Sequence, residues 1–270
     1  MPWVEFYPSN RRLVDALVTQ GHIEEKNVAV ADAMLATDRK HYVPPAVGPS
    51  VDDGAAASTT EPPDDAYADR PLPIGFNATI SAPRTHALQL SLLVEHAVRP
   101  QGARLLDVGA GSGYSTACLA RMAGERGRVV GVEHIAELAA LAEANVRRDD
   151  ASLLASGRVS FRRGDGRVGA SSLGPYDAIH CGASAAAVPQ ALIKQLAPGG
   201  RLVMPVGQPG SSQRLTVVDR DRATGKLHEH SYSNVILMPL SDEAAQLAQT
   251  NKLFGKVKLG DLLPYTRPMK

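Results

Sequence analysis

Between residues 104 and 207 the sequence alternates short apolar runs with segments of helical periodicity, and this alternation constrains the fold more than any other feature. Helices are predicted at about 112–123, 135–147 and 188–197. The strand candidates that alternate with them are RLLDVG (104–109), RVVGVE (128–133), RVSFRRGD (158–165), YDAIHCG (176–182) and RLVMPVG (201–207). Such alternation forms a mostly parallel sheet with right-handed crossovers and helices on both faces. We therefore expect a doubly wound α/β fold.

The N-terminal part of the chain predicts two helices and a loop. Residues 9–38 hold both helices, and Ser9 and Gly21 are the expected N-cap and C-cap of the first. One face of the second is expected to carry Val28, Ala31, Met34 and Leu35. Residues 44–73 are rich in Pro, Asp and Ala, so a mobile surface loop is predicted there. A tolerated insertion is the favoured interpretation of this loop, and a lid over the site is the alternative.

The C-terminal part, residues 208–270, predicts an antiparallel pair, a helix and a tail. The segments QRLTVVDRD and HSYSNVILMP are typical of two edge strands joined by a polar turn. A helix is expected from about Ser241. Together with a βαβ core over 83–207, these segments predict one domain covering residues 1–270.

Composition excludes several classes of protein. With 29 Lys and Arg against 28 Asp and Glu, the net charge of +1 argues against a strongly basic nucleic-acid binder. Two cysteines in 270 residues form no disulfide framework, which favours a reducing compartment. No apolar run reaches the roughly 18 residues of a membrane span, and the N-terminus lacks a signal-peptide core. We expect a cytoplasmic protein without membrane or nucleic-acid partners.

The first strand of the core runs directly into a glycine-rich turn. The strand 104–108 is followed by Gly109-Ala110-Gly111-Ser112-Gly113 and then by a helix, so that backbone can approach a ligand closely. The dinucleotide fingerprint GxGxxG would need a third glycine where this chain has Tyr114. Asp107 stands two residues before the first glycine, which a pyrophosphate would disfavour and the cationic methionine end of S-adenosylmethionine would tolerate or use.

Two further strand ends carry carboxylates. Glu133 stands at the tip of the second strand, where it can accept both ribose hydroxyls of an adenosine. Asp165, between two glycines at the end of the third strand, is a candidate for the adenine amino group. Each feature alone is typical of a turn or a solvated cap, but the carboxyl ends of parallel strands meet at one edge. Jointly they predict a nucleoside site.

Several longer segments carry a family resemblance. They are MLATDRKHYV (34–43), GFNATISAP (75–83), LLDVGAGSGYSTAC (105–118), GVEHIAEL (131–138), ASGRV (155–159), GDGR (164–167), PYDAIHCGA (175–183), VPQALIKQLAPGGRLVMPVG (188–207) and MPLSDE (238–243). Across roughly residues 9–245 the sequence resembles the protein L-isoaspartate (D-aspartate) O-methyltransferases, a family of repair methyltransferases. The glycine turn is generic to class I methyltransferases, whereas ATISAP, VPQALI and PGGRL are specific to this family.

The resemblance implies a class I, Rossmann-like methyltransferase fold that binds S-adenosylmethionine and releases S-adenosylhomocysteine. It implies methyl esterification of the free carboxylate of L-isoaspartyl or D-aspartyl residues in damaged proteins and peptides, followed by spontaneous closure to a succinimide. Ser81 would be the active-site hydroxyl. The cofactor would be lined by Pro83, Arg84, Thr85, His86, Asp107, Gly109, Gly111, Ser112, Gly113, Glu133, His134, Asp165, Gly166 and Ser241.

Two departures from the family pattern are visible. Arg84 stands where the family usually has His, and its guanidinium either holds a substrate carboxylate or faces solvent. The stretch at about 46–66 and the tail after about 250 are both longer than expected.

The implied nucleophile is a carboxylate that is already ionised at pH 7, so no general base is required. Ser81 is then an orienting hydrogen-bond donor to that carboxylate. From spacing alone the Ser81 hydroxyl would instead cap the helix that starts near Pro83, and the ATISAP resemblance favours the catalytic role. His134 and His180 stand at strand ends, where a lone histidine is usually hydrogen-bonded structure.

Other functions remain as alternatives at this stage. A class I methyltransferase with another substrate would keep the glycine turn but would have no reason to share 79–83 and 188–193. An adaptor that binds S-adenosylmethionine without turnover ranks below it, and a nucleotide-dependent oxidoreductase is weakest because Tyr114 breaks its fingerprint. No cluster has metal-ligand spacing, so no metal is predicted. We expect a monomer, because a damaged protein segment needs an open cleft.

Overall fold

The computed structural model describes residues 4–44 and 65–254, with side chains through residue 249. The helices are α1 (Asn10–Thr19), α2 (Val28–Ala36), α3 (Pro83–Ala97), α4 (Tyr114–Met122), α5 (Ala136–Ala155), α6 (Gln190–Lys194) and α7 (Glu243–Phe254). The strands are β1 (Leu72–Gly75), β2 (Ala78–Ile80), β3 (Arg104–Val108), β4 (Arg128–Glu133), β5 (Val159–Arg163), β6 (Tyr176–Cys181), β7 (Leu196–Val206), β8 (Gln213–Arg220) and β9 (Leu227–Val235). Short 3₁₀ helices cover Arg39–Tyr42 and Ser171–Leu173.

The main sheet has seven strands in the order β5-β4-β3-β6-β7-β8-β9. Strands β3 to β7 pair in parallel, and β8 pairs antiparallel with both β7 and β9. This topology confirms the predicted α/β fold with an antiparallel edge pair. Within the described ranges, no helix is both long and apolar enough to cross a membrane.

The strand order reverses beside β3. From β3 the chain runs outward through β4 to β5, and it then returns across the sheet to place β6 on the other side of β3. In open α/β sheets, ligands bind in the crevice at the carboxyl ends of the strands where the order reverses. The glycine turn after β3 lies at that point.

Both faces of the sheet are covered by apolar side chains. Leu105 belongs to the larger core cluster, which includes residues of α1 to α5, whereas Leu106 and Val108 belong to a smaller cluster with Leu192 of α6. Successive residues of a strand point to opposite faces, so β3 is buried on both sides. This burial explains why Leu105, Leu106 and Val108 do not alternate with exposed polar residues along the strand.

The N-terminal helices form where they are predicted, and Met34, Ala31 and Leu35 of the predicted α2 face pack against the core, but Val28 does not. Ser9 caps α1 by accepting a hydrogen bond from the Arg12 N–H at 3.3 Å, as expected. In α2 the side chain of Val28 is 60% exposed, whereas Val30 and Met34 are fully buried. Because α2 is apolar on most sides, its periodicity did not separate Val28 from the face that packs against α1 and α4.

The predicted mobile loop 44–73 is wrong for its last nine residues, 65–73; positions 45–64 lie outside the described residues. Ala66, Ala68 and Asp69 are buried, and β1 begins at Leu72. The cause is Arg39, whose fully buried guanidinium donates to the Ala66 carbonyl at 3.0 Å and to the Arg70 carbonyl at 3.3 Å. Burial lowers the pKa of Arg39 to about 10, so the group keeps its charge at neutral pH.

Three other segments differ from the sequence predictions. The hairpin of β1 and β2 was not predicted, and β7 begins at Leu196, five residues before the apolar run that predicted it. Helix α5 continues to Ala155, past a non-helical Asp150 with φ −155° and ψ 93°. The start of β7 and the end of α5 differ at element boundaries, which are the least certain part of a sequence-based assignment.

We expect Arg39→Ala to lower the free energy of unfolding by about 2–4 kcal/mol, because two hydrogen bonds to a buried charged group are lost. Urea denaturation followed by circular dichroism measures this change. Arg70→Ala is the matched control, since its half-exposed ion pair with Asp65 should contribute less than about 1 kcal/mol. An equal decrease in the free energy of unfolding in the two variants would show that Arg39 does not anchor residues 65–70.

Candidate functional site

A cavity of about 570 Å³ lies at the carboxyl edge of the sheet. Its floor is formed by the ends of β3, β4 and β6, with Gly109, Glu133 and Gly182 among the lining residues. One wall is the hairpin of β1 and β2 with the start of α3, and the opposite wall is the segment 236–241. The cavity therefore occupies the crevice that the strand order predicts.

The glycine turn needs its glycines for conformational and steric reasons. Gly109, Gly111 and Gly113 have φ values of +73°, +52° and +86°, which residues with a side chain rarely adopt. At Gly113 an added Cβ would also lie 3.0 Å from the carbonyl oxygen of Ala142 in α5. The turn thus packs tightly on α5 while Gly109 and Gly111 expose backbone to the cavity.

Glu133 links the end of β4 to the glycine turn. Its carboxylate is nearly buried and accepts the Gly111 N–H at 3.0 Å and the Ile135 N–H at 3.1 Å, one on each oxygen. Burial raises the pKa of this carboxyl despite those two hydrogen bonds. A carboxylate oxygen has two lone pairs, so each oxygen keeps an acceptor site for a ligand. The side chain lines the cavity, as its predicted role requires.

Asp165 also lines the cavity, but its carboxylate is engaged. Arg167 Nε lies 2.9 and 3.0 Å from the two Asp165 oxygens, and the Arg167 N–H donates to Oδ1 at 2.8 Å. The Arg167 guanidinium holds the pKa of Asp165 below its usual value. Asp165 is therefore a fixed anion at the rim of the cavity.

The hairpin of β1 and β2 turns through two residues with left-handed backbone. Phe76 and Asn77 have φ values of +51° and +53°. Both central residues of a type I′ hairpin turn need positive φ, which Asn tolerates and a bulky Phe does not. The turn brings Asn77 and Thr79 to the cavity wall.

Ser81 follows this hairpin and lines the cavity. Helix α3 begins at Pro83 with Ala82 as its N-cap residue, and no side chain caps it. The capping role that spacing alone favoured for the Ser81 hydroxyl is therefore wrong. In the described part of the chain, no His or carboxylate is hydrogen-bonded to Ser81 Oγ, so nothing there would activate it as a covalent nucleophile.

The C-terminal wall is held by backbone pairing and by one glutamine. Ser184 N–H donates to the Met238 carbonyl at 2.8 Å, and Leu240 N–H donates to the Ser184 carbonyl at 2.7 Å. Gln246 in α7 lies 2.9 Å from His134 Nε2, accepts from Ser241 Oγ at 3.1 Å, and donates to the Phe76 carbonyl at 2.8 Å. This side chain connects both walls of the cavity with the end of β4.

The structure brings most of the predicted site residues to the cavity. Those that line it are Ser81, Thr85, Gly109, Gly111, Glu133, His134, Asp165, Gly166 and Ser241. Gln246, Asn77 and Thr79 also line it but were not predicted as site residues, because no spacing in the sequence marks their position. Thr79 lies within the ATISAP motif, which was the available signal.

The remaining predicted residues lie in the layer behind the cavity. They are Pro83, Arg84, His86, Asp107, Ser112 and Gly113, and none of them is among the lining residues. Neighbouring residues of a strand, turn or helix point in different directions, which places these six residues behind the lining. Their contact with a cofactor stays a prediction.

Asp107 is the clearest case. It is fully buried, and its oxygens lie 2.7 Å from His180 Nδ1 in β6 and 2.5 Å from Thr116 Oγ1 in α4. The prediction that His180 is hydrogen-bonded structure is confirmed by this contact. His86 is similarly enclosed, 3.0 Å from Ser115 Oγ, and burial lowers its pKa well below the usual value.

Arg84 points away from the cavity. Its Nε lies 3.2 Å from Asp69 Oδ2, and the Arg84 N–H donates to Asp69 Oδ1 at 3.1 Å. The side chain lines a separate, smaller cavity with Glu5, Gln20 and His22. The structure thus pairs the Arg84 guanidinium with Asp69, and a contact of Arg84 with a substrate carboxylate stays a prediction.

A metal centre is not found in the described ranges, where no three His, Cys, Asp or Glu side chains are grouped to hold an ion. Cys118 and Cys181 are both buried as thiols, and burial raises the pKa of Cys118 to about 11. A buried thiol with a raised pKa is a poor nucleophile.

Comparison with known proteins gives a consistent result. The family described as protein-L-isoaspartate(D-aspartate) O-methyltransferase matches residues 8–245. A Triticum aestivum protein-L-isoaspartate O-methyltransferase is 43% identical over 239 residues, covering 88% of this chain and 94% of that protein. The Caenorhabditis elegans protein of the same name is 38% identical over 246 residues, covering 91% and 98%.

A solved structure from Plasmodium falciparum, described as a protein-L-isoaspartate O-methyltransferase, was determined in complex with S-adenosyl-L-homocysteine. It matches with a TM-score of 0.71 and 28% sequence identity, and the match covers 87% of this chain and 99% of that one.

We expect Gln246→Ala to loosen the C-terminal wall, because its bonds to His134, Ser241 and Phe76 are removed together. At roughly 1 kcal/mol for each hydrogen bond, local opening should become about tenfold or more frequent. Hydrogen exchange measured by mass spectrometry should speed up in α7 and in the hairpin turn. Gln249→Ala, an exposed change on the same helix, is the control, and equal exchange in both variants would contradict the role of Gln246.

Proposed function

The chain belongs to the protein-L-isoaspartate(D-aspartate) O-methyltransferase family, and from this membership we propose that it is a repair methyltransferase. It transfers a methyl group from S-adenosylmethionine to the free carboxylate of L-isoaspartyl, and of D-aspartyl, residues in damaged proteins and peptides. The observation that carries this proposal is the match over residues 8–245, which includes every element around the cavity from the hairpin of β1 and β2 to the start of α7.

The polar groups that line the cavity suit a nucleoside cofactor. Glu133 keeps one acceptor site on each oxygen, which suits two neighbouring ribose hydroxyls. At Gly166 an added Cβ would lie 2.7 Å from Val108 Cγ1, so the chain passes close to the end of β3. We propose that the cofactor is held by Thr85, Gly109, Gly111, Glu133, His134, Asp165, Gly166 and Ser241. S-adenosylmethionine, when bound, supplies a methyl group on a positively charged sulfur.

The residues behind the cavity have a supporting role in this proposal. Asp107 and His86 hold β3, α3 and α4 together, and Ser112 and Gly113 shape the glycine turn. Asn145 Nδ2 donates to the Ser112 carbonyl at 3.0 Å, which fixes the turn against α5. A ligand then meets a preformed backbone.

Ser81 is proposed as the hydroxyl that orients the substrate carboxylate. The carboxylate has a pKa near 4 and is ionised at pH 7, so it attacks the methyl carbon without a general base. An anion and a cation become a neutral ester and a neutral thioether, so charge is lost toward the transition state. A cavity that excludes water and aligns the atoms favours this reaction, and alignment alone can contribute at most about 7–11 kcal/mol.

The ester leads to repair by ordinary chemistry. The neighbouring backbone nitrogen attacks the ester carbonyl, methanol leaves, and a succinimide forms that water reopens partly to normal aspartate. The enzyme therefore needs to perform only the methyl transfer. A single domain, a monomeric state, a cytoplasmic location and the absence of nucleic-acid partners stay predictions, which size-exclusion chromatography and fractionation can test.

The direct test uses labelled S-adenosylmethionine and two peptides that differ only in one residue, L-isoaspartate or L-aspartate. We expect base-labile label on the isoaspartyl peptide alone, because only its free carboxylate reaches the methyl group. No label on either peptide, with cofactor binding intact by calorimetry, would reject the repair function in favour of another substrate.

Substitutions at Ser81 and Glu133 should affect different quantities, turnover for the first and cofactor affinity for the second. Ser81→Ala should lower turnover by about 10- to 100-fold and keep the affinity for S-adenosylhomocysteine, since a hydrogen bond to a charged group contributes about 1.5–3 kcal/mol. Glu133→Ala should weaken that affinity by a similar factor, measured by calorimetry. Ser211→Ala, an exposed serine, is the control. Equal loss of cofactor affinity in the Ser81 and Glu133 variants would contradict the assigned roles.

A further inference from the structure

The side chains that line the cavity carry an unusual set of charges for a site that binds an anion. Among the described residues that line it there is no Lys or Arg. The lining carboxylates are Glu133 and Asp165; Asp165 is paired with the Arg167 guanidinium, and His134 lies 4.0 Å from the Glu133 carboxylate. A substrate carboxylate therefore enters a cavity whose described lining carries two carboxylates and neither Lys nor Arg.

Three guanidinium groups, those of Arg84, Arg167 and Arg39, are engaged by other partners. Arg84 is paired with Asp69 outside the cavity, and Arg167 lies between Asp165 and Asp242. Arg39 is fully buried behind the cavity and donates to two backbone carbonyls. None of these three groups lines the cavity.

Several backbone N–H groups beside Ser81 and in the glycine turn are also engaged. The first turn of α3 lies beside Ser81, and Pro83 there has no N–H to offer. The Arg84 N–H is taken by the Asp69 carboxylate, and the Thr85 N–H by the Ala82 carbonyl. In the glycine turn, Gly111 N–H is taken by Glu133. Burial lowers the pKa of His86, so this imidazole behind Ser81 is neutral at pH 7.

We propose that the cavity binds the substrate carboxylate with neutral donors only, Ser81 among them, and leaves the balancing positive charge to the methyl donor. This inference rests on the proposed function and adds a regulation of binding to it. The free carboxylate is held well only while the charged sulfonium is present. When the S–CH₃ bond breaks and the C–O bond forms, sulfur keeps the electron pair, and both products are neutral at the reacting atoms.

Two consequences follow for the order of events. Substrate should bind after S-adenosylmethionine, because the described lining of the cavity offers no Lys or Arg to a carboxylate. After transfer, a second isoaspartyl peptide should bind poorly to the complex with S-adenosylhomocysteine. By linkage, substrate must strengthen the binding of a charged cofactor by the same factor.

Calorimetry with an isoaspartyl hexapeptide tests this inference without turnover. The peptide is titrated into the protein saturated with S-adenosylhomocysteine, which is neutral at sulfur, or with sinefungin, which carries a protonated amine at the position of the methyl sulfonium. We expect the peptide to bind about 5- to 150-fold more tightly to the sinefungin complex, the usual range for coupling between two ligands. Equal affinity in the two complexes would overturn the inference.

Two controls assign any difference to charge. An isoasparaginyl peptide, which is neutral at the same position, should bind both complexes alike. Thr79→Arg places a cation at the exposed rim of the cavity. The affinity of the S-adenosylhomocysteine complex for the isoaspartyl peptide should then rise, and the ratio of peptide affinities between the two complexes should fall. Thr79→Gln, of intermediate length and neutral, should leave the ratio unchanged. If the neutral peptide also bound the sinefungin complex more tightly by the same factor, the inference would be overturned.

Failure of this inference is distinguishable from failure of the proposed function. If the isoaspartyl peptide is methylated but binds both complexes equally, the function stands and the charge coupling is rejected. If it is neither methylated nor bound while both cofactors bind normally, the proposed function itself is rejected.

Discussion

The buried carboxylate of Asp107 is the interaction on which the site depends. A charge removed from water must be compensated within the protein, and the partners of Asp107 come from the helix after the glycine turn and from the neighbouring strand. Thr116 and His180 therefore tie α4 and β6 to β3 on both sides of the point where the strand order reverses. The glycine turn lies directly above this junction, so its backbone is held in one conformation before any ligand arrives.

The cavity walls come from segments that are distant in sequence from this junction. Arg39 holds 65–70 in place, and that segment leads into the hairpin whose turn is strained at Phe76. On the other side, Ser184 pairs with 238–240 and Gln246 joins the helix α7 to the hairpin turn. The strand ends thus form the floor of the cavity, and two extended segments form its walls. This arrangement leaves room for a protein segment as substrate.

Methyl transfer to a carboxylate requires few catalytic side chains. Since the attacking carboxylate is ionised, the protein does not need a base, and Ser81 has no activating partner in the described ranges. In the described ranges, the lining of the cavity provides neutral donors such as Ser81 and no Lys or Arg. Under the proposed charge coupling, the charge of the cofactor is part of substrate recognition and links the two binding events.

Hydrophobic periodicity and glycine spacing are local properties, and they were sufficient to predict the α/β fold, the strands from β3 to β6 and the carboxylates at their ends. The resemblance of ATISAP to a family motif likewise located Ser81. The orientation of Asp107, His86 and Arg84 was not predictable, because the direction in which a side chain points depends on partners such as His180, Ser115 and Asp69. Gln246 and the packed residues 65–73 were missed for the same reason. Their positions depend on contacts with residues tens to more than a hundred positions away, whose energy no local pattern in the chain records.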